Sequence, residues 1–177
     1  MPKTLKSRWW WFIAYPDSLP SNWKDILILT GIPFIVSPIH NKDPSDDGAF
    51  KKEHYHIIVI FDNPTTYNHV LTHCCLPLNA TIPNVILNLS GAIDYLTHKG
   101  LSHKAQYQTC DIQCFNGSHV YLCDTEYIND VYSAIEAIIF EENIRSFREL
   151  LSRCNDIPDA IPLIRSKAYY WRCLLRD

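Results

Sequence analysis

Residues His54 to Phe61 read His-Tyr-His-Ile-Ile-Val-Ile-Phe, and no other stretch limits the fold so strongly. β-Branched side chains lose rotamer freedom in a helix and pack well on a pleated surface, so the run is expected to form a buried strand. Strand side chains alternate between faces; His54 and His56 therefore share one face and Tyr55 takes the other. Two imidazoles on one face are half of a metal site. Taken alone, an H-x-H pair more often marks surface histidines on an edge strand. Here His40 and Asp43 lie just upstream. If the short strand Phe34–Ser37 pairs antiparallel with His54–Phe61, both residues reach the same end of the sheet. Three imidazoles and a carboxylate suit manganese, cobalt or zinc better than calcium. Asp46 and Asp47 are competing carboxylates, but they precede Gly48 in what reads as a solvated turn, whereas Asp43 is nearer His40. Behind His56 the strand carries no further ligand, which disfavours a water-activating zinc hydrolase.

Around that strand the chain reads as a mixture of β and α without strict alternation, which predicts an antiparallel α+β domain. Arg8 to Tyr15, including Trp9, Trp10 and Trp11, predicts a strand, and Ser18–Ser21 a turn and cap ahead of a helix over Asn22–Thr30. Asn63-Pro64 predicts a helix start, with the helix running to about Cys75. Val85–Leu89 is a weak strand candidate, Ser90 a cap, and Ala92–Lys99 a helix closed by Gly100. Ala105–Gln113 is a further strand candidate, followed by the turn signal Asn116-Gly117. Beyond Asp124 apolar residues recur at helical spacing: Ile128, Val131, Ile135, Ile138 and Ile139, then Ile144, Phe147, Leu150 and Leu151. The expected division is thus 1–123 for the α+β domain and 124–177 for a small all-helical region.

Composition excludes several classes. The 177 residues carry 7 Cys without a C-x-x-C pair, so buried thiols in a reducing compartment are expected rather than a secreted disulfide framework. Cys110, Cys114, His119 and Cys123 approximate a zinc knuckle, but each outer gap misses the expected length by one residue. The longest apolar stretch, Ile26–Val36, is interrupted and falls short of the roughly 20 residues of a membrane span. With no signal-peptide core at the N-terminus, a cytosolic protein is expected. A formal charge of −3 argues against a sequence-independent nucleic-acid coat, and the acid excess lies in the tail beyond Val120.

One more side chain matters for chemistry. A Lewis-acid cation can polarise a phosphate oxygen and leave attack to a protein nucleophile. Tyr95 is the candidate; on a helix, His98 and Lys99 would share its face and either hold a phosphate or activate the phenol. Periodicity alone makes Tyr95 an ordinary amphipathic-helix residue.

The ordered set Tyr15-Pro16-Asp17-Ser18-x-Pro-x-x-Trp23, Ser37-Pro38-x-His40-x-Lys42-Asp43, Lys52-x-His54-Tyr55-His56, Tyr95-Leu96-Thr97-His98-Lys99 and Lys104-Ala105-Gln106-Tyr107 resembles the RepB-type plasmid Rep proteins, rolling-circle replication initiators of the HUH endonuclease superfamily. The resemblance covers about residues 8–110. It implies an HUH-endonuclease-like antiparallel sheet flanked by helices, an origin-binding nicking domain in which His40, Asp43, His54 and His56 hold one divalent metal, manganese or magnesium, and Tyr95 attacks DNA. The enzyme would keep a 5′-phosphotyrosine ester and release a 3′-hydroxyl primer. Lys51, Lys52, His98, Lys99 and Lys104 are the expected DNA and phosphate contacts, with Trp9, Trp10, Trp11 and Trp23 as candidate stacking surfaces and Tyr107 as reserve nucleophile.

The implied partners are origin DNA, as double-stranded repeats and a single-stranded or hairpin nick site, together with a host helicase and DNA polymerase in the bacterial cytoplasm. No G-x-x-x-x-G-K-[ST] loop is present to drive unwinding within this chain. The resemblance also implies that the helical region supports a homo-oligomer. Where the family commonly has an acidic residue after the first metal histidine, this chain has Asn41. The competing readings are a catalytically idle origin-binding protein and a relaxase-like strand transferase of the same fold. In relaxases the three-histidine cluster follows an N-terminal Tyr, whereas here the metal motif precedes Tyr95.

Overall fold

The structure, a computed structural model, describes residues 5–45 and 49–175. Asp46 and Asp47, the competing carboxylates, lie outside the described residues. The chain forms two compact units, Met1–Asn116 and Gly117–Asp177. The expected boundary at 123/124 falls within the second unit, between the short 3-10 turn Ser118–Tyr121 and the helix that begins at Thr125.

The first unit is built on a five-stranded sheet in which every adjacent pair is antiparallel. Its strands are β1 (Lys6–Ala14), β2 (Phe34–Val36), β3 (Tyr55–Thr66), β4 (Asn84–Val85) and β5 (Gln113–Phe115), in the order β4-β1-β3-β2-β5. The apolar run thus occupies the centre, where both faces can be covered, and Ile57 to Ile60 are all buried. One face, with Trp10, Phe12, Ala14, Phe34, Val36, Ile57 and Val59, forms a core with Leu27 of α1 (Trp23–Ile28) and Val70 of α2 (Tyr67–Val70). Cys74, Cys75 and Leu78 complete it from a π-turn (Leu71–Cys75) and a 3-10 turn (Leu76–Leu78) that continue α2. The opposite face carries Trp11, His56 and Ile58, against α3 (Leu89–Tyr95).

The outer edge of β1 is closed almost without a strand. β4 pairs only with Trp10 and Trp11. Beyond it Thr81 bonds Ile13 twice, its N–H donating to the Ile13 carbonyl and its hydroxyl oxygen accepting from the Ile13 N–H (2.9 Å each), and Ile86 N–H donates to the Trp9 carbonyl.

Several local expectations change. The expected helix start at Pro64 is replaced by strand, because the β1–β3 register breaks between Ser7 and Trp9 and leaves residues 61–64 in the irregular stretch, where a missing N–H costs no ladder bond. Thr66 caps α2 instead, accepting from His69 N–H. Ser21 does not cap α1; the flanking residue is Asn22, without a side-chain cap. Ser90 lies inside α3, whose cap is Asn88, its side-chain oxygen accepting from Gly91 N–H at 3.2 Å. α3 ends at Tyr95 rather than Lys99, and His98 (φ +56°) precedes Gly100 (φ +79°) in the left-handed region. Ala105–Gln113 is mostly irregular, and only Gln113 onward is strand, with a 3-10 turn at Thr109–Asp111.

The second unit is helical: α4 (Thr125–Glu141), α5 (Phe147–Arg153), α6 (Ala160–Ser166) and α7 (Ala168–Leu174). Val131, Ile135 and Ile139 of α4 meet Leu150, Leu163, Ile164 and Trp171 in one core, as the apolar spacing requires. Gly117 is needed by both conformation and space: its φ is +80°, and a Cβ there would lie 2.7 Å from Pro162 Cγ. Asp159 joins the start of α6 to the rest of the unit by accepting from His119 and from the Tyr127 hydroxyl. Together the units make an α+β sheet domain and an all-helical region. Among the described residues no helix is long and apolar enough to cross a membrane.

Candidate active site

Backbone pairing brings the two halves of the histidine cluster together. His40 and His54 form an isolated antiparallel bridge, each N–H donating to the other's carbonyl (2.9 and 3.2 Å). One step along, His56 N–H donates to the Ser37 hydroxyl at 2.9 Å, while that hydroxyl donates to the Pro38 carbonyl. Ser37 is fully buried, so this bond ties β3 to the end of β2 inside the protein. Sequence reasoning missed it, although Ser37-Pro38 stands in the motif that carries the resemblance.

His40, His54 and His56 offer ligand atoms within 4.8 Å of one another, and so do His40, Asp43 and His98. All five side chains are buried. Asp43 stands 3.8 Å from His40 Nδ1 and 3.4 Å from His98 Nδ1. His40 Nε2 meets the Leu96 carbonyl at 2.8 Å, His54 Nδ1 the Lys52 carbonyl at 2.7 Å and His98 Nδ1 the Ala105 carbonyl at 2.8 Å. Meanwhile His40 Nδ1, His56 Nδ1, Asp43 Oδ1 and His98 Nε2 are buried without a hydrogen-bond partner among the described residues.

Burial pushes His40 down to about 4, with the neighbouring His98 acting the same way and Asp43 opposing. His56 falls to about 2, through burial and then the adjoining histidines. Both rings are therefore neutral at neutral pH, the state a metal ligand needs. Orphaned lone pairs on imidazoles beside a carboxylate fit a divalent cation.

Tyr95, the last residue of α3, lies beside this cluster, its ring 5.3 Å from that of His56 and 5.1 Å from that of His98. Its hydroxyl oxygen accepts from Lys104 Nζ at 2.5 Å, and the ammonium also sits 4.4 Å from the ring centroid. Because α3 ends at Tyr95, Lys99 does not share the phenol's face; it pairs with Asp94 at 3.3 Å. A cleft of about 430 Å³ opens at the phenol, with Trp11, His56, Ile58, Asn88 and Tyr95 among its walls.

The other expected contacts spread out. Lys51 is exposed, and Lys52 is ion-paired with Asp17 at 2.7 Å above the Tyr15 ring. His98 is fully buried within the cluster. Trp11 lines the cleft, whereas Trp10 is buried and donates Nε1–H to the Ser7 carbonyl. Trp9 is half-buried, and Trp23 packs on Tyr55. Tyr107 stacks on His40 with centroids 4.4 Å apart and accepts from the N–H groups of Asn41 and Lys42, at 3.0 Å each. Its oxygen is committed to holding the His40–Asp43 turn. Among the described residues no metal-holding group includes Cys110, Cys114, His119 or Cys123.

Residues 2–121 match a family model described as plasmid replication protein, origin binding domain. Replication protein RepB of Lactiplantibacillus plantarum is 34% identical over 160 residues, 86% of this chain and 72% of that protein. A replication protein of Staphylococcus aureus is 32% identical over 154 residues, 84% and 76% of the two chains. Replication protein RepB of Streptococcus agalactiae is 29% identical over 157 residues, with 82% and 75% covered.

Proposed function

Since the chain belongs to the plasmid replication protein family and contains its origin-binding domain, we propose that it initiates rolling-circle replication by nicking one strand of the origin through Tyr95. The observation that carries this reading is the phenol itself: a tyrosine oxygen held by a lysine ammonium, beside a buried cluster of histidines, in the wall of a cleft. His40, Asp43, His54 and His56 hold one divalent cation, manganese or magnesium. When bound, that cation supplies Lewis-acid polarisation of the scissile phosphate.

The chain's own residues do the rest. Tyr95 gives up its phenolic proton to solvent water and its oxygen attacks phosphorus, forming a P–O bond as the bond to O3′ breaks. O3′ takes a proton and becomes the primer end, and the 5′-phosphate stays as a tyrosine ester that the reverse reaction can rejoin. Lys104 faces the oxygen on which charge develops. Trp11 and the apolar wall of the cleft receive an unstacked base of single-stranded DNA. Lys51, Lys52 and Lys99 contact phosphates outside the cleft. Unwinding and synthesis fall to a host helicase and polymerase in the bacterial cytoplasm, and the helical unit serves oligomerisation.

The test incubates the protein with oligonucleotides carrying hairpin origins from its own replicon, with manganese or with EDTA, and looks for a covalent protein–DNA band on a denaturing gel. A manganese-dependent band that disappears in Tyr95→Phe is expected. A band retained in Tyr95→Phe sinks the nucleophile assignment; no band despite origin binding favours a catalytically idle origin-binding protein.

A further inference from the structure

We propose that His98 is an additional protein ligand of the divalent centre, donating through Nε2. The inference rests on the metal-dependent reading above and deepens it. A carbonyl oxygen only accepts, so a ring nitrogen facing one must carry the proton. By that rule His40 is protonated on Nε2 against Leu96, leaving Nδ1 as its lone pair, and His54 on Nδ1 against Lys52, leaving Nε2. His98 repeats the pattern: Nδ1–H donates to the Ala105 carbonyl at 2.8 Å, leaving Nε2. Metal-bound histidines characteristically donate their other ring N–H to a carbonyl or carboxylate, which fixes tautomer and orientation. His98 bears that mark as fully as His40 does, and its Nε2, like His40 Nδ1, is buried without a partner among the described residues.

Three further observations converge. The His98 ring centroid lies 4.4 Å from that of His40, and His40, Asp43 and His98 offer ligand atoms within 4.8 Å of one another. Asp43 Oδ1 lies 3.4 Å from His98 Nδ1 and has no hydrogen-bond partner among the described residues either. His98 also adopts φ +56°, unfavourable for a residue with a Cβ. The surrounding backbone keeps it there: Leu101 N–H donates to the His98 carbonyl at 2.9 Å, and Tyr107 N–H to that of Thr97 at 3.1 Å. Strain of this kind persists where a side chain must be aimed. A phosphate contact, by contrast, requires an exposed donor, whereas the free nitrogen of His98 is an acceptor on a ring with no exposed surface.

The deciding experiment titrates Zn²⁺ into the full chain labelled with ¹⁵N-histidine and follows the ring nitrogens in long-range ¹H–¹⁵N spectra. Each ring is assigned through its own backbone, so no variant is required. His98 Nε2 is expected to move to a metal-bound shift at the same endpoint as the nitrogens of His40, His54 and His56. If those three move and His98 Nε2 keeps its unligated shift, this proposal falls while the metal centre stands. If no ring nitrogen moves, the metal centre falls and His98 with it. In a second measurement, calorimetry of Mn²⁺ binding to His98→Gln should show affinity at least about 10-fold weaker; unchanged affinity in the folded variant would overturn the assignment.

Discussion

The Lys104 ammonium is nine residues from Tyr95 in sequence and in contact with its oxygen in space. Removing a preorganised donor from an oxygen that gains charge typically costs about 10²-fold or more in rate. Lys104→Met should therefore slow formation of the covalent adduct by about that factor with metal affinity unchanged, and Lys104→Arg should recover part of it; single-turnover gels measure both. The buried histidines set a second expectation. His40 has an ordinary value of 6.5 unfolded and about 4 folded, so between those limits the unfolded chain binds more protons. The stability due to the neutral ring is present above pH 6.5 and is lost as pH falls toward 4. Urea unfolding of the metal-free protein should show a loss on the order of 2 kcal/mol by pH 5 from His40 alone, deepened by His56. An unchanged urea midpoint between pH 7.5 and 5 would contradict the burial argument.

Among the elements, α3 shows how much of the site was legible. Its existence and the candidate Tyr95 could be read from the chain, but its phase could not, because Asn88 and Ser90 are both good caps two residues apart. The early end of the helix, at Tyr95, takes Lys99 off the phenol's face, and Lys104 reaches the oxygen instead. Asn88→Ala should lower stability by about 1 kcal/mol in thermal unfolding and slow nicking, whereas Asn88→Asp, which keeps the acceptor, should do neither strongly. β3 was legible because its side chains are β-branched and His54 and His56 fall on alternate positions. Its extension past Pro64 was not, since only the register with β1 reveals where a missing N–H is harmless. His98 was legible as a neighbour of Tyr95 but not as a buried residue: helical spacing puts it on the face of Tyr95, and the left-handed turn that carries it inward depends on contacts with residues 101–107.

For the molecule as a whole, the two cores share no residue: one draws on positions up to Phe115, the other on positions from Val120. A fragment ending at Asn116 should fold cooperatively and keep metal binding, while the full chain alone forms oligomers. Circular dichroism melts and analytical ultracentrifugation of the two would check this. A fragment that fails to fold would show that the sheet unit needs the helices. The closed edge of β1 bears on the same question. A strand with free N–H and carbonyl groups along its rim invites another chain to extend the sheet. In this protein a two-residue strand, the Thr81 bonds to Ile13 and the Ile86 bond to Trp9 already occupy that rim, and β5 at the far side is only three residues long. Should copies gather at one origin, as the proposed function requires, neither rim would offer a long open strand through which their sheets could join.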